Sequence, residues 1–205
     1  MLEIYFVRHG ETEWNLKGML QGKQNSPLTE KGKAQAAKLG EALKDVEFDG
    51  IYSSPMGRAS LTAEIIRGER EQALFTIPAL REMSFGDMEG LSKKEFQKLH
   101  PEQYKNLWED AIIYDPTAFN GETFQEVDDR VMEGLDHLVK AHPNGGRILV
   151  VSHGMTLKSI FMHVWGHGLD KYWEDPVPEN TSLTIVSYRD GEYRMEDFSN
   201  TSHLD

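Results

Sequence analysis

Arg8-His9-Gly10-Glu11 sets a cation and an imidazole directly behind the apolar run Ile4-Tyr5-Phe6-Val7. A neutral imidazole is a nucleophile, and a guanidinium offers a rigid fork of donors to a tetrahedral oxyanion. The glycine permits a sharp exit and a close backbone approach. Side by side, these residues point to phosphoryl chemistry through histidine. Taken alone, the triplet also reads as a strand end with a surface Arg and a core His. Three more groups stand behind apolar segments: Ser53-Ser54-Pro55-Met56-Gly57-Arg58, Leu80-Arg81-Glu82 and Ser152-His153-Gly154. Two histidines, two arginines and a carboxylate meeting at one edge of a sheet are hard to attribute to packing.

Such a meeting requires an α/β architecture, because open α/β sheets bind ligands outside the carboxyl ends of their strands. Strands and helices do alternate in the pattern. Residues 29–45 carry Ala36, Leu39 and Leu43 at helical spacing, with Thr29 as N-cap. Ile51-Tyr52-Ser53 is a short strand, 57–68 a helix, and Leu74-Phe75-Thr76-Ile77 a third strand. Residues 122–141 form an amphipathic helix with Phe124, Val127, Val131, Leu135 and Leu138 on one face. Ile148-Leu149-Val150-Val151 reads as a central parallel strand, followed by a helix through Leu157, Ile160, Phe161 and Val164. Residues 182–188 and 192–198, split by Asp190-Gly191, close the chain as a hairpin. The expectation is one domain over 1–205, a three-layer α/β/α sandwich around a mostly parallel sheet. Residues 88–121 break the alternation and hold Phe96, Tyr104, Trp108, Tyr114 and Phe119. They read as a cap-like insertion beside the site, the alternative being a local helical core built from these aromatics.

Composition narrows the function. A hydrophobic content of 39% and a charged content of 27% fit a globular chain of 205 residues. No apolar stretch approaches a membrane span and no secretory leader precedes the first strand, so a cytoplasmic location is expected. A net charge of −12 speaks against nucleic acid or an anionic membrane as partner, though clustered arginines still serve a small anion. The absence of cysteine excludes a cysteine-based phosphatase. No Gly-rich loop ending in Gly-Lys-Ser/Thr and no Gly-x-Ser-x-Gly elbow occurs, which disfavours nucleotide and serine hydrolases. His163 and His167 have a four-residue spacing that suits a metal on a helix, but the intervening glutamate of metalloproteases is missing. Capping or surface roles are the better reading of that pair.

Phe6-Val7-Arg8-His9-Gly10-Glu11-Thr12, Ser53-Ser54-Pro55 with Arg58, Glu82 with Phe85-Gly86, and Val151-Ser152-His153-Gly154 resemble the histidine phosphatase superfamily, the phosphoglycerate mutase-like fold. The resemblance runs in order along nearly the whole chain and includes Trp14-Asn15, Gln21-Gly22 and Pro27-Leu28-Thr29. It implies that His9 is the nucleophile and forms a phosphohistidine. Arg8 and Arg58 would clamp the phosphoryl oxygens, and the arginines would help to keep His9 neutral. His153, with the Gly154 N–H, would stabilise the transferring group. Asn15 would be a further phosphate ligand, with Gln21 and Gly22 bordering the pocket. Glu82 would protonate the leaving alkoxide and then activate water, which predicts faster turnover on the acid side of neutrality. Neither metal nor cofactor is needed in this scheme.

The same residues serve a phosphatase, which gives the phosphoryl group to water, or a phosphoglycerate mutase, which returns it to a phosphoglycerate. Within 88–121 lie four lysines and no arginine, against six acids, with Asp87 just before the segment. An acidic lid of this kind suits a phosphomonoester with an apolar or sugar-like leaving group better than a doubly anionic one. A metal-independent phosphatase acting on a small phosphorylated metabolite is therefore the leading reading, as monomer or homodimer. The mutase is second, and a non-catalytic phosphate-recognition protein is third. Gly22, Gly32 and Gly86 read as turn or close-packing positions, Glu89 as a loop holder, and Asn180-Thr181-Ser182 as a strand cap or site neighbour. Asn25 stands where relatives often carry Asp.

Overall fold

The computed structural model describes residues 1–205. In chain order the elements are β1 (Leu2–Arg8), α1 (Glu13–Lys17), α2 (Glu30–Ala42), β2 (Gly50–Ser53), α3 (Gly57–Arg67) and β3 (Leu74–Thr76). They continue with α4 (Lys93–Leu99), α5 (Pro101–Glu109), α6 (Phe124–Ala141), β4 (Gly146–Ser152), α7 (Gly154–Val164), β5 (Leu183–Arg189) and β6 (Glu192–Asn200).

The six strands form one sheet in the order β3-β2-β4-β1-β5-β6. Neighbours from β3 to β1 run parallel, whereas β5 runs antiparallel to both β1 and β6. Alternation of side chains splits the core into two layers. Ile4, Phe6, Ile148 and Val150 face α6 and α7, while Val7, Leu149 and Val151 face α2 and α3. Burial on both faces explains why β4 reads as an uninterrupted apolar run. The α/β/α sandwich expected from the alternation is what the chain forms.

Local signals set the helix ends. Thr29 caps α2 by accepting from the Gly32 N–H at 2.9 Å. Thr123 opens α6 through a capping box with Glu126, the two backbone–side-chain bonds measuring 3.1 and 2.8 Å. Along α6, Phe124, Val127, Val131, Leu135 and Leu138 are buried against the sheet. Those five side chains contribute on the order of 10 kcal/mol of burial before chain entropy is charged against them.

Residues 88–121 hold α4, α5 and a short turn at Thr117–Phe119. Phe96, Tyr114 and Phe119 point inward and belong to the main core, with Phe96 and Phe119 stacked edge-on at 5.4 Å. For these three rings the packing alternative is the correct one. The segment is tied to the motif loop at Gly86, whose φ of +54° and whose closeness to the Phe119 carbonyl leave no room for a side chain.

The loop that follows β1 is pressed against the first turn of α2. A Cβ on Gly32 would lie 2.1 Å from the Glu11 carbonyl oxygen, and one on Gly10 would lie 2.6 Å from that of Gly32. Because both obstacles are backbone, neither can rotate away. Gly32→Ala should therefore lower stability by about 2 kcal/mol, read from the urea midpoint. A change below about 0.5 kcal/mol would show that the two segments can part at little cost.

Candidate active site

The two central strands end side by side, with Arg8 opposite Ser152. His9 extends the ladder one step by donating its N–H to the Ser152 carbonyl at 3.0 Å. His153 is the next residue on β4, so its ring meets that of His9 edge-on, the centroids 5.2 Å apart. Beyond β2, the Ser54 N–H donates to the Val151 carbonyl at 2.9 Å, and the first turn of α3 then delivers Arg58. Ser152 Oγ donates to the Leu80 carbonyl at 2.8 Å and draws the Glu82 segment to the same edge.

A cavity of about 300 Å³ lies there, lined by Arg8, His9, Asn15, Gln21, Gly22, Arg58, Glu82 and Gly154 among others. Of the residues expected to catalyse or to bind phosphate, His153 alone does not line it. It is fully buried just behind His9. A larger hollow of about 580 Å³ around His163 and His167 contains none of these groups.

The His9 Nδ1–H donates to the Gly10 carbonyl at 2.8 Å, since a carbonyl only accepts. This leaves the Nε2 lone pair free to attack. Burial, followed by the charges of Arg58 and Arg8, holds the pKa of His9 well below the ordinary histidine value. Desolvation is the leading cause, ahead of the arginines that the sequence reading credited. The same causes, with the same one first, keep His153 neutral. Its Nε2 pairs with Ser54 Oγ at 2.7 Å.

Both arginines are anchored on backbone carbonyls. Arg58 donates to Gln24 and Gly22 at 2.7 and 2.8 Å, and Arg8 to Pro178 at 2.8 Å. Burial lowers Arg58 to about 10, so it stays charged at neutral pH. Arg8 Nε, Arg58 Nε, Gln21 Oε1 and His153 Nδ1 are buried with no protein partner. Three of these are donors when the nitrogen carries hydrogen, which is the complement of a tetrahedral oxyanion. Glu82 sits opposite, held at the N-terminus of α7 by the N–H groups of Met155 and Thr156 at 3.3 and 3.1 Å. A nucleophilic nitrogen, a cationic cradle and a carboxyl group thus surround one small volume.

Further contacts complete the site, and of the two readings open for Asn180 and Thr181 they favour the site neighbour. Asn180 Nδ2 donates to the His9 carbonyl and the Thr181 N–H to that of Arg8, both at 2.9 Å. The Gly10 N–H donates to Thr62 Oγ1 at 3.0 Å. Asn15 Oδ1 is occupied by the Thr12 N–H at 3.1 Å, so Asn15 faces the cavity with only its amide nitrogen uncommitted. Asn25 accepts from the Arg58 N–H at 2.9 Å and thereby caps α3. Glu89 accepts from the N–H groups of Lys23, Gln24 and Phe85 at 3.0, 2.8 and 3.0 Å, holding the loop as expected.

The acidic-lid argument needs correcting. None of the acids of 88–121 lines the cavity; Lys93 and Trp108 are its contributions to the wall, the Lys93 Nζ 4.6 Å above the indole ring. Glu95 is consumed by its capping box with Ser92, and Asp115 by Thr117. Charge counted along the sequence had the wrong sign for the face that matters. His163 and His167 pair separately with Asp128 and Asp175, at 2.6 and 2.9 Å.

Comparison with known proteins follows the same lines. The sequence model of the histidine phosphatase superfamily (branch 1) matches residues 4–201. "Uncharacterized phosphatase PhoE" of Bacillus subtilis is 33% identical over 205 residues, covering 100% of this chain and 97% of that protein. "Probable phosphoglycerate mutase GpmB" of Salmonella paratyphi A is also 33% identical, covering 100% and 96%. Among solved structures, Bacillus stearothermophilus YhfR superposes with a TM-score of 0.96 at 36% identity, with both chains fully covered.

The buried neutral histidines make stability depend on pH. The unfolded chain takes up protons on these imidazoles near pH 6.5, whereas the native state does not. Stability is therefore full above that pH and falls on acidification below it, by about 1.4 kcal/mol per pH unit for each imidazole. His153→Gln should flatten this decline by one such increment, in urea titrations between pH 7.5 and 5.5. Stability that rises on acidification across that range would contradict the assignment.

Proposed function

The chain belongs to branch 1 of the histidine phosphatase superfamily, and from that premise we propose that it is a metal-independent phosphomonoester hydrolase working through a phosphohistidine. The observation that carries the reading is the free Nε2 of a neutral His9 facing the same cavity as Arg8, Arg58 and Glu82. In the first step Nε2 attacks phosphorus as the ester P–O bond breaks. Glu82 gives its proton to the departing alkoxide oxygen. In the second step water attacks phosphorus, the N–P bond breaks, and Glu82 takes the proton of the water. Arg8, Arg58 and His153 hold the equatorial oxygens through both steps, where negative charge is spread.

The leaving group would be an alcohol with an apolar body. Met19, Leu20, Phe85, Trp108, Met155 and Val177 supply the wall beyond the phosphoryl end, with Lys93 as the one distal cation. That single ammonium also favours hydrolysis over mutase action. A mutase must retain a bisphosphorylated intermediate, and its second phosphate would here meet one positive charge. The mutase remains the second reading, supported by the Salmonella relative and by Lys93 itself.

Hydrolysis of p-nitrophenyl phosphate should survive a chelator and fall by at least about a thousandfold in His9→Ala. An acid-labile, base-stable phosphoryl-enzyme should be trapped from the native protein and not from the variant. Retained turnover in His9→Ala would overturn the mechanism. Efficient conversion of 3-phosphoglycerate to 2-phosphoglycerate with little hydrolysis would favour the mutase.

A further inference from the structure

Glu82 lies in neither helix nor sheet. It occupies an irregular stretch between two short turns, Pro78–Leu80 and Gly86–Met88. The N-terminus of α7 holds the carboxyl, but how far that carboxyl reaches also depends on a backbone without regular structure, and several of its groups are tied to side chains. The carbonyls of Ala79 and Arg81 both accept from Arg130 Nη1, each at 2.8 Å. The N–H of Ser84 donates to Glu122 Oε2 at 2.8 Å, and the next N–H, of Phe85, donates to Glu89. Arg130 and Glu122 lock together through two bonds, Nε to Oε1 at 3.0 Å and Nη2 to Oε2 at 3.1 Å, and the Arg81 guanidinium also meets Glu122. Arg130 and Glu122 are 8% and 9% exposed, and neither lines the cavity.

Buried ion pairs of this kind are seldom the most stabilising way to fill a core, and apolar residues of similar volume often serve as well. The pair nevertheless grips the chain on both sides of one residue, in the single irregular segment that must deliver a side chain accurately. We infer that Arg130, with Glu122 as its partner, is a positioning residue that holds Glu82 at proton-transfer distance from the leaving oxygen. The inference rests on the role proposed above for Glu82. It adds that the general acid is aimed from α6, on the side of the segment away from the substrate.

Leaving-group dependence separates aiming from mere folding. p-Nitrophenolate departs without a proton, whereas the alkoxide of 2-phenylethyl phosphate needs one. In Arg130→Met, kcat on 2-phenylethyl phosphate should fall at least about tenfold further than kcat on p-nitrophenyl phosphate, with KM for both little changed. Glu122→Gln should bias the ratio in the same direction and by less. If Arg130→Met does not fold, the ratio in Glu122→Gln decides the matter. Equal losses on both substrates, or no loss on either, would overturn the inference. Glu82→Gln is the reference. If it shows the bias and the α6-side variants do not, positioning alone fails. If Glu82→Gln shows none, the acid assignment fails and this inference falls with it.

Discussion

The parallel ladder between β1 and β4 fixes where chemistry is possible in this molecule. With Arg8 opposite Ser152, both strands run out at the same level, and the residues just past their ends are His9 and His153. Everything else at the site is hung on that junction. Arg58 arrives because β2 pairs with the other edge of β4, and Glu82 because Ser152 holds the Leu80 carbonyl. The first turn of α7, which receives the Glu82 carboxyl, begins immediately after His153. A slip of one residue between β1 and β4 would exchange the two faces of a strand buried on both sides. The packing that identifies Val7 with one layer and Phe6 with the other therefore also guards the register of the catalytic edge.

A chain of net charge −12 presents an anion with a cationic pocket by choosing what its arginines are tied to. Arg8 and Arg58 rest on neutral carbonyl oxygens, so their charge is not cancelled by a carboxylate in direct contact. Arg130 and Arg147, in contrast, are paired with Glu122 and Glu3, and they support structure. Carbonyl anchoring fixes a guanidinium as firmly as a salt bridge does while leaving its field available to a ligand. Burial strengthens that field and at the same time keeps the two imidazoles neutral, so a single physical condition acts on both the histidines and the arginines of the cavity.

Sequence was most informative where a residue's neighbours are set by regular structure. Strand ends, the Thr29 cap and the amphipathic face of α6 all follow from periodicity and short-range bonding. The residues at the ends of β1, β2 and β4 were legible for the same reason, whereas Glu82 lies six residues beyond β3 and is brought in by the Ser152 contact. Orientation within 88–121 was not, because a count of lysines and acids does not say which of them faces inward. Glu95 and Asp115 spend their charge on local caps, and Lys93 turns to the cavity. The Glu122–Arg130 pair was equally opaque as a partner of the site. Its work is done on backbone atoms 38 to 51 residues away, and no spacing rule encodes such contacts.

The clasp of Asn180 and Thr181 on the carbonyls of His9 and Arg8 joins positions about 170 residues apart. It also requires Thr181 to hold a φ of +60°, a conformation that a β-branched residue adopts only when tertiary contacts impose it. During biosynthesis Arg8 and His9 leave the ribosome well over a hundred residues ahead of β4, which begins at Gly146 and is their main partner. A nascent chain thus carries His9 through a long stretch of translation without the neighbours that bury it. Assembly of the candidate site therefore waits for residues 146–181, and chains released before that point would carry Arg8 and His9 without the surroundings that bury them.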